Sequence, residues 1–220
     1  SRVGFASGFA INRLFSIIEL KFMCYYHDKR TMNLIKQIIH EDRPFLFRPS
    51  ELFLVYSLAK NQTQIDGDYA EVGVFKGTTA KAICESKGNK HLHLFDTFNG
   101  LPETDKIDTR YKTKMFKSDF QKVKDKLVKY PNVHIHKGLF PETANFIQNK
   151  KFAFVHLDVD IYQSTKDCLE FFYDKMSKGG IILSHDYHAQ GVKKAFDEFF
   201  KDKDEQIIQL PMSQCMITKR

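Results

Sequence analysis

The sequence predicts a doubly wound α/β domain built on a mostly parallel sheet, with a helical extension before it. Three observations predict this. From residue 68 onward, short apolar runs alternate with helix-patterned stretches, the signature of strands joined by helical crossovers. Several of those runs end in polar, chemistry-bearing residues. The chain then closes with two β-like runs, QIIQLPM (206–212) and QCMITKR (214–220), joined too tightly for anything but an antiparallel hairpin.

Residues 1 to about 60 read as helical. VGFASGFAINRLFSIIELKFMCYY (3–26) is apolar, but Arg13, Glu19 and Lys21 interrupt it. No uncharged run approaches the roughly 20 residues a transmembrane helix needs. The charged start and small-residue cleavage site of a signal peptide are missing. Leu14, Ile17, Ile18 and Phe22 recur near helical spacing and give an amphipathic helix. Such a helix packs on the domain, on a second copy in a homodimer, or peripherally on a membrane surface. TMNLIKQII (31–39) is amphipathic, and Pro49-Ser50 opens a further helix. Asp66-Gly67 marks a turn. The expected division is a helical extension or cap over 1–62 and a cofactor-binding domain over 63–220.

The expected parallel strands are YAEVGV (69–74), HLHLFD (91–96), VHIHKG (133–138), FAFVHLDV (152–159) and GIILSHD (180–186). The expected helices are GTTAKAICES (77–86), SDFQKVKDKLVKY (118–130), a short one near ETANFIQ (142–148), STKDCLEFFYDKM (164–176) and VKKAFDEFFKD (192–202). The polar stretch from Thr97 to Lys117 is too long for a plain connection and reads as a functional lid or a disordered segment.

The 220 residues carry a net charge of +7. The lysines are scattered and interleaved with acids, as on solvated helix faces, so no nucleic-acid partner is expected. Cys24, Cys84, Cys168 and Cys215 form no C-x-x-C pair, which excludes a zinc knuckle and a thioredoxin-like motif. They fit reduced thiols of a cytoplasmic protein.

In open parallel sheets, ligands bind beyond the carboxyl ends of the strands. Gly73 and Gly77 lie in the first such turn, where glycine permits tight turning and close approach to the backbone. Phe75 fills the place of the middle glycine of a dinucleotide fingerprint, and no Gly-Lys-Ser/Thr follows to make a P-loop. Asp96 ends the second strand, where an acid can accept both hydroxyls of a ribose. Asp158, His185 and Asp186 end two later strands. Two carboxylates with an imidazole suit a divalent cation, and acids at strand–helix turns also serve as helix caps.

AEVGVFKGTTA (70–80), LFDTFNGLPE (94–103), FVHLDVDIYQST (154–165) and GGIILSHDYH (179–188), in this order, resemble the macrocin O-methyltransferase family over roughly residues 45–220. The resemblance implies a class I methyltransferase: a seven-stranded, Rossmann-like sheet, S-adenosylmethionine as cofactor, and methylation of a hydroxyl on a sugar, glycan or natural product. It places Glu71, Gly73, Phe75, Gly77 and Thr78 around the cofactor. Asp96 would hold the ribose, with Thr97 and Phe98 beside it, and Ser118 and Gly138 would line the adenine side. Asp158, at the edge of the cofactor site, would hold Mg²⁺ or another divalent cation together with His185 and Asp186. An acid is usual where His185 stands, and imidazole suits Mg²⁺ less well. Ile161 stands where distantly similar catechol-type enzymes have a Lys base. Asp158, Asp160, His185 and His188 remain as candidates for the general base, and imidazole titrates nearest to neutral pH.

Overall fold

The computed structural model describes residues 15–41 and 47–220. Residues 1–14 and 42–46 lie outside it, and with them Arg13 and Leu14 of the expected amphipathic helix. The chain divides into two compact units, Ser1–Leu54 and Val55–Arg220.

In the first unit, helix α1 spans residues 15–26 and α2 spans Lys29–Glu41. Asp28 caps α2, its carboxylate accepting the N–H of Thr31 at 2.9 Å. Met32, Ile35 and Ile38 recur at helical spacing and are buried. On α1, Ile17, Ile18 and Phe22, the expected apolar stripe, are exposed. Helix α3 (Pro49–Asn61) opens with proline, which lacks an N–H where none is needed. Glu51 reaches back to accept the N–H of Arg48 at 2.9 Å.

The second unit contains strands β1 (Asp68–Val72), β2 (Leu92–Asp96), β3 (Val133–Lys137), β4 (Phe152–Leu157), β5 (Met176–Ser184), β6 (Ile208–Gln209) and β7 (Cys215–Thr218). Their spatial order is β3-β2-β1-β4-β5-β7-β6. Strands β1 to β5 pair in parallel, and β7 runs antiparallel to both β5 and β6. Helices α4 (Thr78–Cys84), α5 (Phe120–Leu127), α6 (Tyr162–Phe172) and α7 (Gln190–Phe200) make the crossovers. Every residue of β4 is buried, as a central parallel strand covered on both faces requires.

Register sets the site. Val72 pairs with Phe95 on one side and Leu157 on the other, Leu157 pairs with Ser184, and Phe95 with His136. The next residues, Gly73, Asp96, Lys137, Asp158 and His185, therefore form one row along the sheet edge. The order reverses at β1/β4, which is where a doubly wound sheet opens its crevice.

Four details differ from the pattern read in the sequence. Strand β1 stops at Val72, because Gly73 turns into the left-handed region at φ 89°. A Cβ there would meet the Asp158 carbonyl oxygen at 1.9 Å. The segment near ETANFIQ is a 3-10 turn, Glu142–Ile147. Helix α6 ends at Phe172, and Met176 already opens β5 opposite Phe152. The Thr97–Lys117 segment is an ordered loop, folded on itself by Leu101–Met115 and Lys114–Leu101 backbone bonds of 2.8 Å each.

One sheet face carries a ladder of histidines. His91 Nδ1 and His134 Nε2 are 3.0 Å apart, and His93 stacks on both His134 and His136. Burial, then the neighbouring His93 and His134, push the His136 imidazole down to about 4. His93 is held to Asp68 at 3.0 Å.

Candidate active site

At the tip of β1 the chain turns through Gly73, Phe75 and Gly77, all at positive φ. The Asp96 carboxylate braces this turn. One oxygen accepts the N–H groups of Val74 and Phe75 at 2.8 and 2.7 Å, and the other accepts Phe98 N–H at 2.6 Å. A carboxylate offers about four lone-pair sites, so capacity for a further donor remains. Gly77 sits against Val123 of α5, 3.3 Å from where its Cβ would lie.

Around this turn the expected cofactor residues take different places. Thr97 hydroxyl closes its own turn onto Gly100 carbonyl at 2.8 Å. Phe98 is buried and packs edge-on against Phe120. Thr78 opens α4 directly after the turn. Gly138 N–H is bonded to the Asp96 carbonyl at 3.0 Å, which places it beside the β2 tip. Ser118 Oγ is buried with no hydrogen-bond partner. Glu71 lies fully buried inside β1, its Oε1 2.9 Å from His156 Nδ1 on β4. Burial pushes its carboxyl up, and the His156 contact opposes that.

The tips of β4 and β5 bring five predicted residues together. His185 Nδ1 lies 3.2 Å from Asp158 Oδ1 and 3.2 Å from Asp186 Oδ2. His188 Nδ1 lies 3.7 Å from Asp186 Oδ1. Asp160 shares a hydrogen bond with Asp186. Asp160 and Asp186 both adopt positive φ, at 64° and 56°. Non-glycine residues held there store strain, and such strain clusters at functional sites.

The carboxylates are not caps. Helix α6 has Ile161 at its N-cap and α7 has Ala189, and neither makes a side-chain cap. Their electrostatics are those of an acid cluster around one base. Burial opposes a charge on His185, but Asp158 and Asp186 outweigh it and hold the imidazole well above its usual range. Burial, then the charges of Asp158 and Asp186, push Asp160 well up. Burial acts to raise Asp186, but His185 and the bonds from His185 and Asp160 hold it well down. One ligand atom each of Asp158, His185 and Asp186 falls within 4.8 Å of the others. That spacing and donor set fit a divalent cation.

Sequence reasoning missed Tyr111 and Asp108. Tyr111 lies in the Thr97–Lys117 loop, beside Asp186 and Asp160. Burial, then the Asp186 and Asp160 charges, push its hydroxyl up. Asp108 is buried and fixes the loop, one oxygen accepting Tyr162 N–H of α6 at 2.9 Å and the other Asp105 N–H at 3.0 Å. Gly191 of α7 leaves room for it, since a Cβ there would lie 2.0 Å from Asp108 Oδ1. A polar, aperiodic loop gives no signal of such contacts.

The strand order, the antiparallel β7 and the polar row at the strand tips define a class I methyltransferase fold. The chain belongs to the macrocin-O-methyltransferase (TylF) family, whose profile matches residues 56–218. It is similar to the 8-demethyl-8-(2,3-dimethoxy-alpha-L-rhamnosyl)-tetracenomycin-C 4'-O-methyltransferase of Streptomyces olivaceus, 24% identical over 152 residues. That match covers 61% of this chain and 58% of the relative, so the chain spans little more than half the relative's length. Among solved structures, the calicheamicin methyltransferase CalS11 superposes with a TM-score of 0.69 at 17% identity, covering 93% of this chain and 91% of that one. The O-methyltransferase NovP gives 0.67 at 20%, covering 77% and 79%. An O-methyltransferase from Bacillus cereus in complex with SAH (S-adenosylhomocysteine) gives 0.60 at 11%, covering 90% and 96%. At these identities the likeness is one of fold. Among the described residues, no helix is long and apolar enough to cross a membrane.

Proposed function

We propose that this chain is an S-adenosylmethionine-dependent O-methyltransferase acting on a hydroxyl of a sugar, glycan or natural product. Asp158, His185 and Asp186 hold a divalent cation in that reading. One observation carries it: the carboxylate–imidazole cluster at the β4 and β5 tips touches the glycine turn of β1, through Gly73 against the Asp158 backbone. Family membership and the name of the Streptomyces olivaceus relative support the reaction and the acceptor class.

The bound cofactor supplies a methyl group on a sulfonium, already a good leaving group, and a cation would lower the pKa of an acceptor hydroxyl bound to it. The protein's part is to hold, orient and deprotonate. Gly73 and Gly77 let the cofactor approach the β1 turn, Asp96 offers its remaining lone pairs to ribose hydroxyls, and Ser118 hydroxyl faces the adenine side. Among the base candidates, Asp158 and His185 are committed to the cation in this reading, and Asp160 is engaged with the Asp158 and Asp186 carboxylates. His188, with 39% of its side chain exposed beside Asp186, is the residue placed to accept the acceptor's proton.

A second reading has a specific observation behind it. Charged His185, 3.2 Å from both carboxylates, would itself offset part of their negative charge and stand in for a cation. Titration calorimetry separates the two. S-adenosylhomocysteine is expected to bind wild type in the micromolar range with or without EDTA. Mn²⁺ is expected to give a binding heat that Asp186→Ala abolishes. Absence of S-adenosylhomocysteine binding rejects the methyltransferase reading. Cofactor binding with no metal heat leaves the cation-free form.

A further inference from the structure

We infer that His185 makes this site selective for a borderline first-row cation, of the Mn²⁺ to Zn²⁺ series, over Mg²⁺. The inference rests on the cation reading above and adds the class of ion.

The argument begins with the donor set. Asp158 and Asp186 each offer a hard carboxylate oxygen, and His185 offers nitrogen. Mg²⁺ takes oxygen ligands in near-ideal octahedral geometry and parts reluctantly with its water. Imidazole is a ligand of the later first-row ions. A site giving Mg²⁺ two oxygens and one nitrogen therefore satisfies it less well than a site of three oxygens.

Spacing points the same way. Two ligands about 2.0–2.2 Å from one ion, at angles between octahedral and tetrahedral, stand roughly 2.8–3.6 Å apart. His185 Nδ1 lies 3.2 Å from Asp158 Oδ1 and 3.2 Å from Asp186 Oδ2. The nitrogen thus already stands as a neighbour of both oxygens. Its backbone is fixed as well: His185 N–H bonds to Leu157 carbonyl at 2.8 Å, holding the β5 tip level with the β4 tip. A cation held by those two oxygens would have the imidazole nitrogen within ligand reach.

The test compares wild type with His185→Asp and His185→Asn, which put oxygen where nitrogen stands, the second without adding charge. Mn²⁺, Co²⁺, Zn²⁺ and Mg²⁺ are titrated calorimetrically into each. First-row ions outbind Mg²⁺ at most such sites, so the readout is the change in the ratio. The Co²⁺:Mg²⁺ affinity ratio is expected to fall about tenfold or more in both variants. Pulsed EPR of bound Mn²⁺ is expected to show imidazole nitrogen coupling in wild type and none in either variant. Folding is checked by S-adenosylhomocysteine binding and melting temperature. An unchanged ratio with no nitrogen coupling in wild type overturns the inference while leaving a cation site standing. No metal heat in any folded protein overturns the inference and the cation reading together, and leaves the cofactor reading untouched.

Discussion

Gly73 is the residue on which two strand tips meet. It holds φ at 89°, and a Cβ would fall 1.9 Å from the Asp158 carbonyl oxygen. An L-residue in the left-handed region costs about 1–2 kcal/mol before any clash. Gly73→Ala is expected to lower stability by at least ~2 kcal/mol and to abolish S-adenosylhomocysteine binding; a melt and a calorimetric titration check both. The His136 imidazole offers a second residue-scale expectation. In the folded chain it stays neutral down to about pH 4, whereas the unfolded chain takes up a proton near 6.5. Stability should therefore fall as pH drops below about 6.5, with this loss complete near pH 4. His136→Phe should flatten the melting temperature between those values, and superimposable profiles would exclude His136 as the cause.

Elements differed in how much of themselves the sequence displayed. β1, β4 and the end of β5 were legible because burial on both faces makes them apolar runs, the edge strand β3 only by its place in the strand–helix alternation, and the terminal hairpin because its connection is too short for a crossover. The site acids were legible because the strands end where chemistry begins. Asp108 and Tyr111 were not, because their partners Tyr162 and Asp186 lie far along the chain and no local period reports a contact of that range. Nor was the early start of β5, which depends on pairing with β4. The loop bearing Asp108 is a fixed wall, pinned to α6 through Tyr162 and seated against Gly191 of α7. Losing a buried acceptor leaves its donor unsatisfied at about 1–3 kcal/mol. In Asp108→Ala, trypsin should cut at the exposed Lys106, Arg110, Lys112 and Lys114 roughly tenfold faster, by that same energy as local opening. Equal cleavage rates would show that the loop is held by something else.

Across the whole molecule, the parallel ladder does more than stack hydrophobic runs. It sets the tips level, so that the glycine turn after β1, Asp96 and the Asp158–His185–Asp186 cluster share one edge of the sheet. Tyr111 sets a hydroxyl beside Asp186 from the loop side. Tyr111→Phe should weaken Mn²⁺ binding several-fold with S-adenosylhomocysteine affinity little changed, since the tyrosine touches the cation cluster and not the β1 turn.

The contact between Gly73 and Asp158 also has a thermodynamic meaning. Asp158 N–H is bonded to Val72 carbonyl at 2.9 Å, so the backbone that carries the cation ligand is continuous with the backbone that receives the cofactor. A ligand that tightens one turn tightens the other. A cation and a cofactor bound at these two turns would be thermodynamically linked, and whatever factor one lent to the other's affinity would be returned in full.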